Sequence, residues 1–501
     1  MKKILTIILD GFGMREDRYG NAIKNAGMTN FINLWNNYPH CLLKASEEYI
    51  GLPEGQPGYS ELGHTIIGAG RSITNKYRDA QENIDQEKLR NNEKYTEMIS
   101  YLKKHPENNL HIITLISDGG ITSHINFLLE LIQIIKKESI TNTIYIDAIS
   151  DGVDTSRKKV LEYLEKLNDV LDDQTKISTL CGRYYALCTD NNYKKTKIYY
   201  DALFKGDGVS ASNLKNIINT CYINKITDEY IPPIKTKDYS PIMNDDIIFF
   251  ADYNKFSHKQ LFNALTDPIF DRFELYRLSN NVFSLYEINK ELNKNYFYEP
   301  KPLKNTLTSY LSALGLTQAK IMESIKKDSM IYCLDGFTEK EYKDCDVYVL
   351  DTPKTERADK KPEMNCLSVA KATIKCMEKD YDFITVNFAN PDIVGKTGNY
   401  QATVNSLQAI DVCLGKIIEV AQDNFYKIII VGSHGKADTI INRENEIVTK
   451  NTLSPVPFII TDKKVKLKNG SIKSVAPTIL KYLDIAPPKE MKETELLFDN
   501  E

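Results

Sequence analysis

Five short runs of the chain are apolar at nearly every position rather than at alternate ones: ILTIIL (4–9), LHIITLI (110–116), TIYIDAI (143–149), FITVNFA (383–389) and KIIIVGS (427–433). Each ends in a polar or glycine-containing loop. Unbroken apolar runs of this length predict strands buried on both faces, as in a parallel sheet. Between them, NFLLELIQIIKKE (126–138) and QATVNSLQAIDVCLGKIIEVAQ (401–422) repeat their apolar residues at helical spacing. Strands alternating with helices predict an α/β fold. In such sheets ligands bind beyond the carboxyl ends of the strands. Asp10, Asp118, Asp151, Asp392 and His434 all stand at that position. One polar residue after a strand is ordinarily a cap or a turn, whereas five together favour a site. From about 200 to 310 the pattern breaks into Tyr-, Asn- and Lys-rich sequence, and KDYSPIMNDD and YFYEPKPLKN read as loops and connections. No internal repeat or low-complexity tract interrupts the chain.

The segment GLPEGQPGYSELGHTIIGAGR (51–71) belongs to neither pattern. Its glycines and prolines disfavour both helix and strand, yet it carries Ser60, Glu61 and His64. Two readings stand side by side. The glycines are tight corners between packed elements, or they hold one serine exposed and aimed, as a nucleophile requires.

Composition narrows the classes. A chain of 501 residues is long enough for two or more domains. Its formal net charge of -4 lacks the basic excess of a nucleic-acid binder. Nine cysteines, at 41, 181, 188, 221, 333, 345, 366, 376 and 413, form no CxxC pair and show no zinc-site spacing, so they read as reduced thiols. The apolar run after MKK ends at Asp10, too soon for a signal peptide. No later run is long and uncharged enough to span a membrane. The expectation is a cytoplasmic protein, monomeric, without nucleic-acid or membrane partners.

Read in order, LDGFG, GNAI, GLPEGQPGYSELGH with IGAGR, SDGGITSH, DAISDGVDT, GRYYA, KPEM, NFANPDIVGKTG, PVPF and VAPTILKYL resemble, nearly end to end, the cofactor-independent (2,3-bisphosphoglycerate-independent) phosphoglycerate mutases of the alkaline phosphatase superfamily. The resemblance implies an alkaline-phosphatase-like, doubly wound α/β sheet domain built from residues 1–76 and 310–501. A second α/β domain, 77–309, is inserted into it and carries substrate residues. It implies that Ser60 is the nucleophile that takes the phosphoryl group, and that two metal ions, usually manganese, activate it. The metal positions match Asp10, Ser60, Asp392 and His434, expected to converge together with Lys396 in one cleft between the domains. The substrate positions match His124, Asp151, Arg183 and, by a less certain alignment, Lys326.

Other positions depart from that pattern. Two metal histidines fall on Lys396 and Asn451, and a metal aspartate falls on Ser433. A protonated lysine cannot ligate a metal. Beside Asp392 it could instead stand in for the first ion as a fixed cation, or simply point to solvent. Four arginines that would grip the phosphoglycerate anion fall on Val153, Thr189, Tyr253 and Phe256, with Lys255 between the last two. The expectation is at most one weakly bound ion and a diverged mutase-like protein with little mutase activity. The alternatives are an active glycolytic mutase with altered ligands, a phosphatase or phosphotransferase acting on another small phosphorylated substrate, and a non-enzymatic binding subunit.

Overall fold

In the computed structural model, which describes residues 2–73, 76–276, 281–299, 301–492 and 495–496, the chain forms two compact α/β units. The first comprises Met1–Asn75 with Lys301–Glu501, and the second Lys76–Pro300.

The first unit is built on a sheet with the strand order Cys345–Leu350, Gln318–Glu323, Phe383–Phe388, Lys3–Leu9, Tyr426–Gly432, Val456–Ile460, His40–Lys44, Gly470–Ser471. Lys3–Leu9 lies between Phe383–Phe388 and Tyr426–Gly432 and is parallel to both, in unbroken register. This central position explains its lack of alternation: Ile4, Leu5, Ile7, Ile8 and Leu9 are all fully buried. Only Val456–Ile460 runs antiparallel to its two neighbours. The helices Cys366–Glu378 and Tyr400–Asp423 cover one face, sharing a core with Leu5, Ile7, Leu9, Ile384 and Ile430.

In the second unit the order is Tyr296–Tyr298, Val282–Tyr286, Ile247–Phe250, Leu110–Ile116, Ile144–Ser150, Thr175–Gly182, Ile234–Thr236, Val209–Ala211. Along Leu110–Ile116 the side chains alternate between two cores. Leu110, Ile112 and Ile116 enter one, Ile113 and Leu115 the other. A sheet with an apolar core on each face is doubly wound, and a strand inside it is apolar throughout.

The irregular reading of 200–310 holds only in part. KDYSPIMNDD is loop and turn, but helices occupy Leu214–Ile223 and Lys259–Thr266. Strands occupy Ile247–Phe250, Val282–Tyr286 and Tyr296–Tyr298, the last inside the YFYEPKPLKN stretch read as a connection. These strands are three to five residues long, too short for periodicity to separate them from loop. Among the described residues no helix is long and apolar enough to cross a membrane.

Candidate active site

Three neighbouring parallel strands of the first unit deliver their carboxyl ends to one point. Asp10 directly follows Lys3–Leu9. Asp392 lies in the short helix Asn390–Gly395 just beyond Phe383–Phe388, and Ser433 and His434 follow Tyr426–Gly432. Ser60 joins them as the first residue of the buried helix Ser60–Ala69. The glycines permit this convergence. Gly11, at φ +76°, lies so close to Asp392 that a Cβ there would come within 2.8 Å of its Cα. A Cβ on Gly63 would stand 2.5 Å from the backbone oxygen of Ser433. Both obstacles are backbone atoms and cannot swing aside. Gly63→Ala is therefore expected to lower the urea unfolding free energy by about 1–3 kcal/mol; an unchanged midpoint would show that the helix can shift.

The site residues form one hydrogen-bonded cluster. The Ser60 hydroxyl donates to Asp10 Oδ2 at 2.6 Å and accepts from Lys326 Nζ at 3.0 Å. The same Nζ lies 2.6 Å from Asp10 Oδ2 and 2.6 Å from Asp392 Oδ2. Lys396, four residues beyond Asp392 along the helix, reaches its two oxygens at 3.0 and 3.1 Å. The Ser433 hydroxyl donates to Asp10 Oδ1. His434 lies between the carboxylates, Nδ1 3.3 Å from Asp10 and Nε2 3.2 Å from Asp392.

Asp10, Asp392 and His434 are fully buried. Burial would push both carboxyls up, but Lys326, with His434 beside Asp10 and with Lys396 and His434 beside Asp392, holds them well below the usual carboxylate range. For Lys326 and His434 burial acts downward; the two carboxylates outweigh it and hold both groups above their ordinary values. Five donor side chains thus converge on two acceptor carboxylates.

His64, one turn beyond Ser60, is not poised as a base. Its Nδ1 lies 2.6 Å from the Ser60 carbonyl oxygen, which can only accept, so the network assigns the proton to Nδ1. Nε2 then accepts from Asn387 Nδ2 at 3.0 Å. Burial, its largest influence, keeps the ring below its ordinary pKa and so neutral. No lone pair of His64 faces the Ser60 oxygen 3.5 Å away.

Lys326, which the resemblance assigns to the substrate, sits on the turn Ser324–Lys326 and pairs with Asp10 and Asp392. Lys396 likewise pairs with Asp392 rather than extending into solvent. Asn451 donates to the carbonyl of Gly58, two residues before Ser60, at 2.8 Å. Two residues of the neighbourhood escaped the sequence reading. One is Asn387, which reads as an ordinary polar position within a strand. The other is Lys436, two beyond His434, fully buried and donating to the Val448 carbonyl at 3.1 Å. Burial pulls its pKa down to about 8. A lysine so soon after a buried strand was the available signal. Among the described residues no group of three or more His, Cys, Asp or Glu side chains is arranged to hold a metal ion.

Comparison with known proteins agrees with this architecture. The profile of the Metalloenzyme superfamily matches residues 2–487. The chain is 34% identical to the 2,3-bisphosphoglycerate-independent phosphoglycerate mutase of Listeria innocua, covering 99% of each. It is 35% identical to that of Mycoplasmoides gallisepticum, covering 99% of this chain and 100% of the other. The chain belongs to this mutase family. A crystal structure of Leishmania mexicana phosphoglycerate mutase at low cobalt concentration superposes with a TM-score of 0.92, at 22% identity, over 100% of this chain and 98% of that one, which extends the likeness of fold across both units.

The second unit holds the remaining mutase-like positions. Asp151, following Ile144–Ser150, accepts from Ser117 Oγ at 2.5 Å, Arg183 Nη1 at 2.6 Å and the backbone amides of Val153 and Asp154 at 3.0 Å each. The same Arg183 nitrogen also donates to Asp154 at 2.7 Å. One guanidinium therefore serves two carboxylates. His124 caps the helix Ile125–Lys136 through the Asn126 amide, and burial lowers its pKa. Asp118 is held by Lys159 and by the Tyr163 hydroxyl at 2.6 Å. At the positions where the resemblance places arginines, Val153 and Tyr253 are buried and Thr189 is exposed. Tyr253 packs edge-on against Phe127 in the core. Lys255, 5% exposed, lies 4.0 Å from Glu287.

Proposed function

We propose that this chain is a diverged 2,3-bisphosphoglycerate-independent phosphoglycerate mutase that retains the fold and the serine of the reaction but turns over phosphoglycerate slowly or not at all. The single observation that carries this reading is Lys396 Nζ lying 3.0 Å from Asp392, at a position where the resemblance places a metal-ligating histidine.

The superfamily and the cobalt-containing relative imply a divalent metal. An ion needs lone pairs from carboxylates, neutral imidazoles or deprotonated hydroxyls. Here the carboxylate oxygens face protons from Lys326, Lys396, Ser60, Ser433 and His434. The positions that would add ligands are Lys396, Ser433 and Asn451. These residues do not fit a two-ion centre.

Without an ion, Ser60 lacks a means of activation. A serine hydroxyl is a weak nucleophile until a base or a metal takes its proton. Asp10 receives that proton's hydrogen bond, but a carboxyl held so far below its ordinary pKa is a feeble base. His64 turns no lone pair toward Ser60, and Lys326 donates into the attacking oxygen. In the second unit, the Arg183 guanidinium is engaged by Asp151 and Asp154.

The identity of 34–35% over nearly the full length supports a second reading, an active glycolytic mutase reached with altered ligands. A coupled assay for interconversion of 2- and 3-phosphoglycerate with added manganese separates the two. The proposal expects a rate many orders of magnitude below that of a working mutase, at or near that of a Ser60→Ala control. Robust turnover that the control abolishes would restore the glycolytic reading.

A further inference from the structure

We infer that the counter-ion of the Asp10–Asp392 pair is built into the chain: the ammonium groups of Lys326 and Lys396 do the electrostatic work of divalent ions, so the centre is complete and stable without metal. The inference rests on the reading of this site given above and deepens it.

Three observations carry it. First, the negative charge is met locally, with the His434 ring lying between the two carboxylates as well. Asp10 and Asp392 contribute two negative charges, and Lys326 and Lys396 contribute two positive ones within hydrogen-bond distance. Second, the placement is that of a bridging cation. One nitrogen of Lys326 spans both carboxylates and also the Ser60 oxygen, and its side chain is 5% exposed. Third, the remaining lone pairs of both carboxylates are engaged by Ser433, Ser60 and His434. Buried carboxylates need partners, and a tethered ammonium meets that need without the entropic cost of capturing a free ion. A protonated lysine donates only, so an incoming cation must displace it rather than bind beside it.

The measurement is metal content together with thermal unfolding of the full chain, with chelator and with manganese, for the wild type and for Lys326→Met. The wild type is expected to contain well under one ion per chain and to unfold at the same temperature under both conditions. Lys326→Met takes the bridging ammonium from both carboxylates, leaving Asp392 with Lys396 and Asp10 with no lysine. Its Tm is expected to fall by roughly 5–10 °C with chelator and to recover part of that loss with manganese. Should that variant fail to fold, Lys396→Met, whose ammonium is partly exposed, is expected to show the same pattern more weakly. Stoichiometric metal in the wild type, a manganese-dependent rise in its Tm, or lysine variants indifferent to manganese would each overturn the inference. A metal-free but active wild type would defeat the reading of function and leave this inference standing. A metal-loaded but inactive wild type would do the reverse.

Discussion

Lys396→His, Ser433→Asp and Asn451→His, combined in one chain, are expected to create manganese-dependent hydrolysis of a simple aryl phosphate that the wild type lacks, by at least about three orders of magnitude. The three changes act on one centre. Lys396→His removes an ammonium from Asp392 and puts an imidazole in its place. Ser433→Asp exchanges a hydroxyl that donates to Asp10 for a third carboxylate. Asn451→His adds a second imidazole on the segment that now holds the Gly58 carbonyl. The centre changes from two carboxylates matched by two ammoniums to three carboxylates facing one, which favours divalent ions. A bound ion supplies what the wild-type Ser60 lacks, a means of lowering its hydroxyl pKa. Each tenfold gain corresponds to about 1.4 kcal/mol of barrier, so even a poorly formed centre registers. Aryl phosphate is the appropriate probe because it needs none of the arginines that would hold glycerate. The Ser60→Ala version should be inactive. A triple variant that takes up manganese without hydrolysis would place the loss in the serine's surroundings. One that takes up none would show that divergence extends beyond the ligands.

Much of this architecture is legible in the sequence because burial on both faces leaves an unbroken apolar run. Lys3–Leu9 and Leu110–Ile116 could be read directly, since every residue of them but Lys3 is buried. The convergence of Asp10, Asp392 and His434 was legible for a related reason: neighbouring parallel strands share one carboxyl edge. What lay beyond reach was the partnering of long side chains. Lys326 stands on a short turn after Gln318–Glu323, where a lysine ordinarily points to water. Nothing in its local sequence shows that two carboxylates from elsewhere in the chain wait beside it. Lys436 was hidden in the same way. The proton position on His64 depends on a carbonyl and on Asn387, a contact spanning 323 positions of sequence. The short Tyr- and Phe-bearing strands of the second unit fell below the length at which a period can be recognised.

Lys326→Met should also change how stability responds to acid. In the wild type, Asp10 and Asp392 titrate well below their unfolded values. A group with a depressed folded pKa contributes stability that is present above its unfolded pKa and is lost as pH falls toward the folded one. The contribution of these two carboxyls should therefore be steady from about pH 7 to 5 and be lost only below about pH 4, where the unfolded chain takes up protons that the folded chain refuses. Without Lys326 the largest opposing influence on both carboxyls disappears, and burial, which acts upward, is left against His434 and Lys396. Their folded pKa values then rise toward or above the unfolded ones. For a raised carboxyl the sign reverses, because the folded state binds the proton more tightly and is favoured by acid. The penalty of the substitution should thus be largest near neutrality, about 3–5 kcal/mol for leaving a buried pair without its partner, and should shrink on acidification to about pH 4–5 as one carboxyl accepts a proton. Urea unfolding of both proteins at several pH values measures the difference directly. A penalty that stays constant across this range would mean that Lys326 supports the fold through its packing, and that the two carboxylates are compensated by other groups.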